Sequence, residues 1–301
     1  NCGKPLHEDC AVQCMSCGKP LCDTCSLANN FKCKECTEEQ KVKIDVIRRS
    51  HIEEYKQCPY AFYLDVIKGI ETKGNKWTET GILLHELFDR YSHIDNIMEV
   101  RKDLENEFLE GFVKLDEDLF SNEYDKKEML ERGLECIRNF VKYQIVAPKP
   151  FSTEEKFVID IGKDIPKVQV TVDRINKLED GSLEIVDYKT GKVHVGQKLK
   201  KDLQPPLYIL GVKDKYKISP QRFKLLFLSE DKYVCKVNKN EYVISLQEAI
   251  REVKTIFGRI TRGEFSIPQN VSTWQCERMC KFGQGGIKVC EGNLIESWKS
   301  S

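Results

Sequence analysis

No apolar run in the chain approaches the roughly 18 residues that a membrane span needs, so a bilayer-embedded protein is not expected. Neither sign of charge is in excess: 48 basic residues cancel 48 acidic ones, and any nucleic-acid contact must come from a local patch. No basic start with an apolar middle and a small-residue cleavage site marks a secretory leader, so a cytoplasmic setting is the expectation. Internal repeats and low-complexity segments are lacking too. The 301 residues, 40% hydrophobic and 32% charged, suit a soluble globular protein with one main core and a smaller module.

Cysteine, by contrast, is plentiful, and its distribution says more than its number. Of 14 cysteines, eight lie between Cys2 and Cys36, three more are Cys276, Cys280 and Cys290, and Cys58, Cys136 and Cys235 stand apart. The stretch "CMSCGKPLCDTCSLANNFKCKEC" holds three C-x-x-C pairs, Cys14 with Cys17, Cys22 with Cys25 and Cys33 with Cys36, with Cys2, His7 and Cys10 upstream. A two-residue gap lets both sulfurs of a pair reach one zinc ion. So few large apolar side chains cannot build a core there, and metal binding would supply much of the folding free energy. The run resembles a B-box-type zinc finger with two interleaved sites. That resemblance implies one site of Cys14, Cys17, Cys33 and Cys36, and a second of Cys22 and Cys25 with Cys2 and Cys10, His7 being an alternative ligand. Such fingers bind protein or nucleic acid. The module is expected over 1–40 and a second domain over 41–301.

Within that domain, "SHIEEYKQCPYAFYL" opens with Ser50 and Glu53 at capping-box spacing, which predicts a helix. Helical periodicity continues through 78–146, most clearly in "GILLHELFDRY", "VRKDLENEFLEGFVKL" and "KKEMLERGLECIRNFVKYQIV", so 50–150 reads as a helical block lying on one side of the fold. After "APKPF" the period becomes that of strands in "EEKFVIDI", "KVQVTVDRIN" and "SLEIVDYKT", with "EDGS" as a hairpin turn, an antiparallel meander. "LQPPLYILGVKDKY" reads as a helix with prolines in its first turn. "RFKLLFLS" and "KYVCKV" read as strands within a core of 151–244. "SLQEAIREVKTIFGRITRGEF" opens the 245–301 closure as a helix capped by Ser245 and Glu248.

The strand "LEIVDYKTG" places Asp187 and Lys189 on one face at its end, and a hairpin at "EDGS" brings Asp173 alongside. Two carboxylates beside a lysine suit a hard cation, Mg²⁺ or Mn²⁺, completed by water and a substrate phosphate. Acid-x-Lys spacing is common in so charged a chain, and alone it reads as a surface ion pair. The order of elements adds weight, because residues 50–290 resemble the RecB-like branch of the PD-(D/E)XK nuclease superfamily. "EYKQCPYAFYL" is similar to its opening helix, "GILLHELFDRY" to its Gly-x-x-x-His helix, and "VTVDRI" and "EIVDYKTGK" to its acidic and D-x-K strands. "LQPPLYI" is similar to its Gln-x-x-x-Tyr helix.

The resemblance implies an α/β, restriction-endonuclease-like core and a metal-dependent DNA nuclease, with exonucleolytic action on single strands or ends. His85, Asp173 and Asp187 would be metal ligands with the backbone carbonyl of Tyr188, Lys189 the catalytic lysine, and Gln204 and Tyr208 would line the site. Glu155 is a further acid, read as solvated. Lys192, Lys198, Lys200 and Lys201 would contact phosphates, or form an ordinary solvated loop. Cys276, Cys280 and Cys290 with Cys58 offer four thiolates, suited to zinc or an iron–sulfur cluster. AddB-type and CRISPR-associated relatives imply the 4Fe–4S cluster. A catalytically silent nucleic-acid-binding adaptor is the competing reading.

Overall fold

The computed structural model describes residues 44–192, 202–236 and 245–268 apart from 73, 164 and 231, together with Cys276, residues 280–283 and Cys290. The zinc-module cysteines, His7, Lys198, Lys200 and Lys201 lie outside the described residues.

A mixed six-stranded sheet forms the centre: β1 (Val46–Arg48), β2 (Pro150–Ile159), β3 (Lys167–Lys177), β4 (Leu183–Lys189), β5 (Arg222–Phe227) and β6 (Lys232–Lys236). The expected meander is present, β2 and β4 both pairing antiparallel with β3. At the "EDGS" turn, Gly181 takes a φ of +80°, Leu178 and Ser182 close the hairpin backbone, and Asp180 accepts from the Ser182 amide. Glycine there avoids the Cβ penalty of the left-handed region. Pairing beyond the meander is parallel at two places, β1 with β3 and β4 with β5, which the hydrophobic pattern did not reveal.

The long strand β3 organises the sheet. β2 runs along one of its edges. On the other edge β1 meets residues 167–169 and β4 meets residues 174–177. Among the described residues, 170–173 therefore have no strand partner on that side. The sheet forks there, and a cleft opens in the gap.

The helices are α1 (Arg49–Gln57), α2 (Pro59–Phe62, continuing as a π-helical turn over Tyr63–Ile67), α3 (Lys76–Tyr91), α4 (Arg101–Val113), α5 (Glu123–Val146), α6 (Gln204–Tyr216) and α7 (Leu246–Thr261). The expected cap of α7 is present as a capping box of Ser245 and Glu248. The expected Ser50–Glu53 cap is not. Helix α1 starts two residues earlier, at Arg49, and its N-cap Arg48 makes no side-chain capping bond, because Arg48 also ends β1 and is set by the sheet. Prolines 205 and 206 sit in the first turn of α6, where their missing N–H groups cost no helical bond.

The helical block does not lie on one side. Ile52, Tyr55 and Phe62 pack with Leu207, Val212, Val253 and Ile256 on one face of the sheet; Leu84, Phe88, Phe108 and Phe140 pack with Val186, Tyr188 and Leu226 on the other. Strand β4 is buried on both faces, so its residues alternate between two cores rather than between core and solvent.

Helices α4 and α5 approach closely at Gly133, where a Cβ would lie 2.1 Å from the ring of Phe108, itself fully buried. Glycine to alanine in a helix ordinarily gains about 1 kcal/mol. Here the expected result is reversed: Gly133→Ala loses about 1–3 kcal/mol to overpacking, read as a lower thermal midpoint, and adding Phe108→Leu restores it.

Candidate active site

The cleft at the fork holds about 650 Å³. Asp173 and Asp187 reach it from β3 and β4, His85 from α3, Glu154 from β2, and Gln204 and Tyr208 from α6; Arg48 and Arg49 border it where β1 passes into α1.

Asp173 stands where β3 and β4 begin to separate, one residue before the first paired position, Arg174 with Val186. Its Oδ2 accepts the Tyr188 amide at 2.7 Å, so the carboxylate bridges the fork. The strand is irregular here: Val172 and Ile175, three apart, both enter the same core, so the alternation slips by one across Asp173 and Arg174. Opposite it, between the pairs Thr153 with Arg174 and Glu155 with Val172, Glu154 adopts a φ of +43°. A non-glycine residue in the left-handed region costs of order 1–3 kcal/mol and persists only where its surroundings impose it.

That conformation brings Glu154 to the site. His85 Nδ1 lies 3.7 Å from Glu154 Oε1 and 3.6 Å from Asp173 Oδ2, and one ligand atom from each of His85, Glu154 and Asp173 falls within 4.8 Å of the others. Glu154 was missed in favour of its neighbour. Glu155 shares the parity of Phe157 and Ile159 and turns away to α6, where Tyr216 donates to it at 2.6 Å and Lys215 pairs with it. It is neither solvated nor in the cleft; only the pairing register and the positive φ separate these two adjacent acids.

Asp187 is 2% exposed. Its Oδ1 accepts from Gln204 Nε2 at 2.5 Å, and Lys189 Nζ stands 2.6 Å from Oδ2 but too obliquely to hydrogen-bond, leaving Oδ2 buried without a donor. Lys189 instead donates to Gln204 Oε1 at 2.9 Å, while Gln204 Nε2 also donates to Tyr208 Oη at 2.8 Å. A single buried amide thus orients the acid and the lysine and is itself held by the phenol. The side chain of Tyr188 points away, into the second core beside Phe88, Phe140 and Arg174. Exposed Lys192 follows the site strand closely.

The electrostatics of the cleft suit a divalent cation. Burial, then the nearby Asp187 charge, raises the Asp173 carboxyl to about 7. Burial pulls the His85 imidazole down, but Asp173 and Glu154 outweigh it and raise it to about 9. Burial and the two aspartates push the Tyr208 phenol well above its ordinary value, keeping it protonated. Converging carboxylates, of which Asp173 resists ionisation, with an imidazole and an orphaned carboxylate oxygen, fit a divalent ion of the Mg²⁺ or Mn²⁺ class.

A second gathering of residues lies away from the cleft. Cys58, between α1 and α2, accepts from the Ala61 amide through Sγ at 3.4 Å. Cys58, Cys280 and Cys290 pack on a small cluster of Ala61, Leu64 and fully buried Phe282. The Cys290 thiol is raised to about 11 by burial and by Cys280, Cys58 and Cys276. Gly283 is needed there, since a Cβ would fall 2.0 Å from the carbonyl oxygen of Cys276. Lys281 joins this closure to the opening helices through Glu54 at 3.2 Å and Asp65 at 2.9 Å. Cys58 is thus brought into one region with Cys280 and Cys290, more than 200 positions later, and with Cys276 near enough to act on the Cys290 thiol; no three of the four sulfurs lie within 4.8 Å of one another, and none is in a disulfide.

Among the described residues no helix is long and apolar enough to cross a membrane. No curated protein matches the chain. Among solved structures, one titled "Crystal structure of SSO0001" resembles it at 13% identity and a TM-score of 0.40, covering 82% of this chain and 88% of that one. A sequence profile of the PD-(D/E)XK nuclease superfamily matches residues 49–284, spanning strands β2 to β6, Asp173, Asp187, Lys189 and the Cys58 and Cys280 positions. The chain belongs to the PD-(D/E)XK nuclease superfamily, which implies a metal-dependent nuclease with a nucleic-acid substrate.

Proposed function

We propose that the protein is a Mg²⁺- or Mn²⁺-dependent deoxyribonuclease, acting as an exonuclease on single-stranded DNA or DNA ends, in repair, CRISPR adaptation or defence. The observation that carries this is the fork itself, which sets His85, Glu154 and Asp173 within ligand distance of one another beside the Asp187, Lys189 and Gln204 chain.

His85, Glu154 and Asp173 would hold the ion, with Asp187 and the Tyr188 carbonyl on the β4 side. A divalent ion bound there supplies Lewis acidity to the scissile phosphate and lowers the pKa of a coordinated water. Lys189 Nζ, held beside Asp187 by Gln204, places a positive charge where the phosphodiester gains negative charge. Tyr208 keeps its proton and holds Gln204 in place. Arg48 and Arg49 at the start of α1, and Lys192, Lys198, Lys200 and Lys201 after β4, would position the backbone by its phosphates.

Cys58, Cys276, Cys280 and Cys290 would hold a 4Fe–4S cluster, with zinc as the alternative, tying the two ends of the nuclease domain together. Their gathering from both ends of the fold supports a structural metal there. The module over 1–40 would bind two zinc ions and contact protein or DNA. The test is digestion of single- and double-stranded DNA labelled at either end, with EDTA, Mg²⁺ or Mn²⁺, using protein whose iron and zinc are counted. Metal-dependent release of label is expected, and its pattern reads the polarity; metal-verified protein that leaves every substrate intact sinks the reading and favours a silent adaptor.

A further inference from the structure

We propose that Trp77 is a stacking platform for an unpaired nucleobase next to the scissile phosphate, so that the cleft selects a splayed single strand; this rests on the nuclease reading above. Trp77, Gly81, His85 and Asp89 recur every four residues along α3 and all line the cleft. Trp77 is 39% exposed there, and exposed Ile82 also lines the cleft. A lone exposed apolar side chain needs no explanation. This one is braced.

The Lys76 ammonium covers one face of the indole, 4.5 Å from the ring centroid, and is itself held by Asp125 on α5. Asp125 is fixed in turn by the amides of Ser121 and, through its own amide, Asn122. The ion pair is largely buried, so the indole is held at the mouth of the cleft by a second helix. Below it the floor is left open by Gly81, a residue that weakens a helix interior. Packing does not require glycine at this position: a Cβ would meet only Thr190 Oγ1, at an ordinary 3.6 Å. The gap between Trp77 and His85 is therefore space for something else.

Arg48 and Arg49 line the same cleft from the start of α1, which packs on the other face of the sheet from α3. Cations and an aromatic ring lining one cleft with the acids form the arrangement that binds single-stranded nucleic acid: phosphates track the cations while a base lies on the ring. Any base offers a π face, so the platform is tolerant of sequence. In a duplex each base is already stacked and paired, so only an unpaired nucleotide can use it.

The test uses the full chain in EDTA, where no turnover occurs, with labelled oligodeoxythymidylate carrying one abasic site walked along its length. Wild type is expected to lose about five- to a hundredfold in affinity at one position. Trp77→Ala should lose the same amount on the intact oligonucleotide, show no further loss at that position, and bind single strands with less preference over duplex. Trp77→Phe should retain most of both. Equal binding of every abasic oligonucleotide by wild type and Trp77→Ala overturns the platform, as does a uniform loss at all positions. Digestion of the same oligonucleotides with Mn²⁺ separates the two ideas. Cleavage with no abasic sensitivity overturns the platform alone, whereas the absence of metal-dependent cleavage overturns the nuclease reading on which it rests.

Discussion

Asp187→Asn is expected to reduce metal-dependent cleavage by on the order of a thousandfold or more, while leaving the fold intact and the metal-free protein no less stable than wild type. The two halves of this prediction have one cause. Asp187 is buried beside Asp173, and its Oδ2 has no hydrogen-bond donor. Without a cation, burial and the Asp187 charge together hold the Asp173 carboxyl at about 7, which means that ionising both acids costs free energy. Asparagine has nearly the same shape and keeps an oxygen for Gln204, but removes a ligand charge and the repulsion with Asp173, a relief set against the lost pairing with partly exposed Lys189, which keeps its bond to Gln204. The thermal midpoint in EDTA should hold or rise. The added stability that Mn²⁺ gives to wild type, about 2.7 kcal/mol at a hundredfold excess over its Kd, should shrink. A variant that cleaves within tenfold of wild type would remove Asp187 from the mechanism, and one that is strongly destabilised would show the acid to be structural.

Arg174→Ala is expected to be the most damaging substitution for stability outside the hydrophobic cores. The guanidinium is fully buried and donates to Asn176 Oδ1 at 2.7 Å, Gln144 Oε1 at 2.6 Å, the Pro148 carbonyl at 2.5 Å, Tyr188 Oη at 3.3 Å and Ser92 Oγ at 3.4 Å. These partners come from α5, the turn before β2, β3 itself, β4 and the end of α3. Asn176 passes the contact on to buried Glu184, which pairs with Lys224 at 3.0 Å. Truncation orphans several buried acceptors, each costing about 1–3 kcal/mol, so a total on the order of 3–5 kcal/mol is expected from the urea midpoint, a large share of a domain's usual 5–15. Arg174→Lys should not rescue it, because one ammonium cannot reproduce a planar fork with five donors. Arg174 adjoins Asp173 at the irregular turn of β3, so cleavage should fall with stability. A loss below about 1 kcal/mol would mean that water replaces the network.

Residues local in the chain announced themselves. The "EDGS" turn, the Ser245–Glu248 cap, the first-turn prolines of α6 and the alternation of Val168, Val170 and Val172 in β3 depend on neighbours within a few positions, and the structure has all of them. Acid and amine types at the end of β4 were also readable, since alternation alone puts Asp187 and Lys189 on one side. What depends on distant partners was not. Strand β1 has three residues and no pattern of its own; it exists because β3 offers it an edge. Ser50 and Glu53 have the spacing of a cap, but the chain enters α1 directly from the sheet. The helices of 50–146 carry apolar faces that do not say which side of the sheet they cover.

Glu154 and Glu155 make the division plain. They are identical in type and adjacent, and periodicity could not choose between them. The sequence by itself settled that a carboxylate-rich meander would follow a helical histidine; the tertiary structure decided which acid joins that histidine, through the register of β2 on β3 and one positive φ. Composition and period record what each residue is. Register and the position of the fork are properties of pairs far apart in the chain, and they exist only once the sheet has closed.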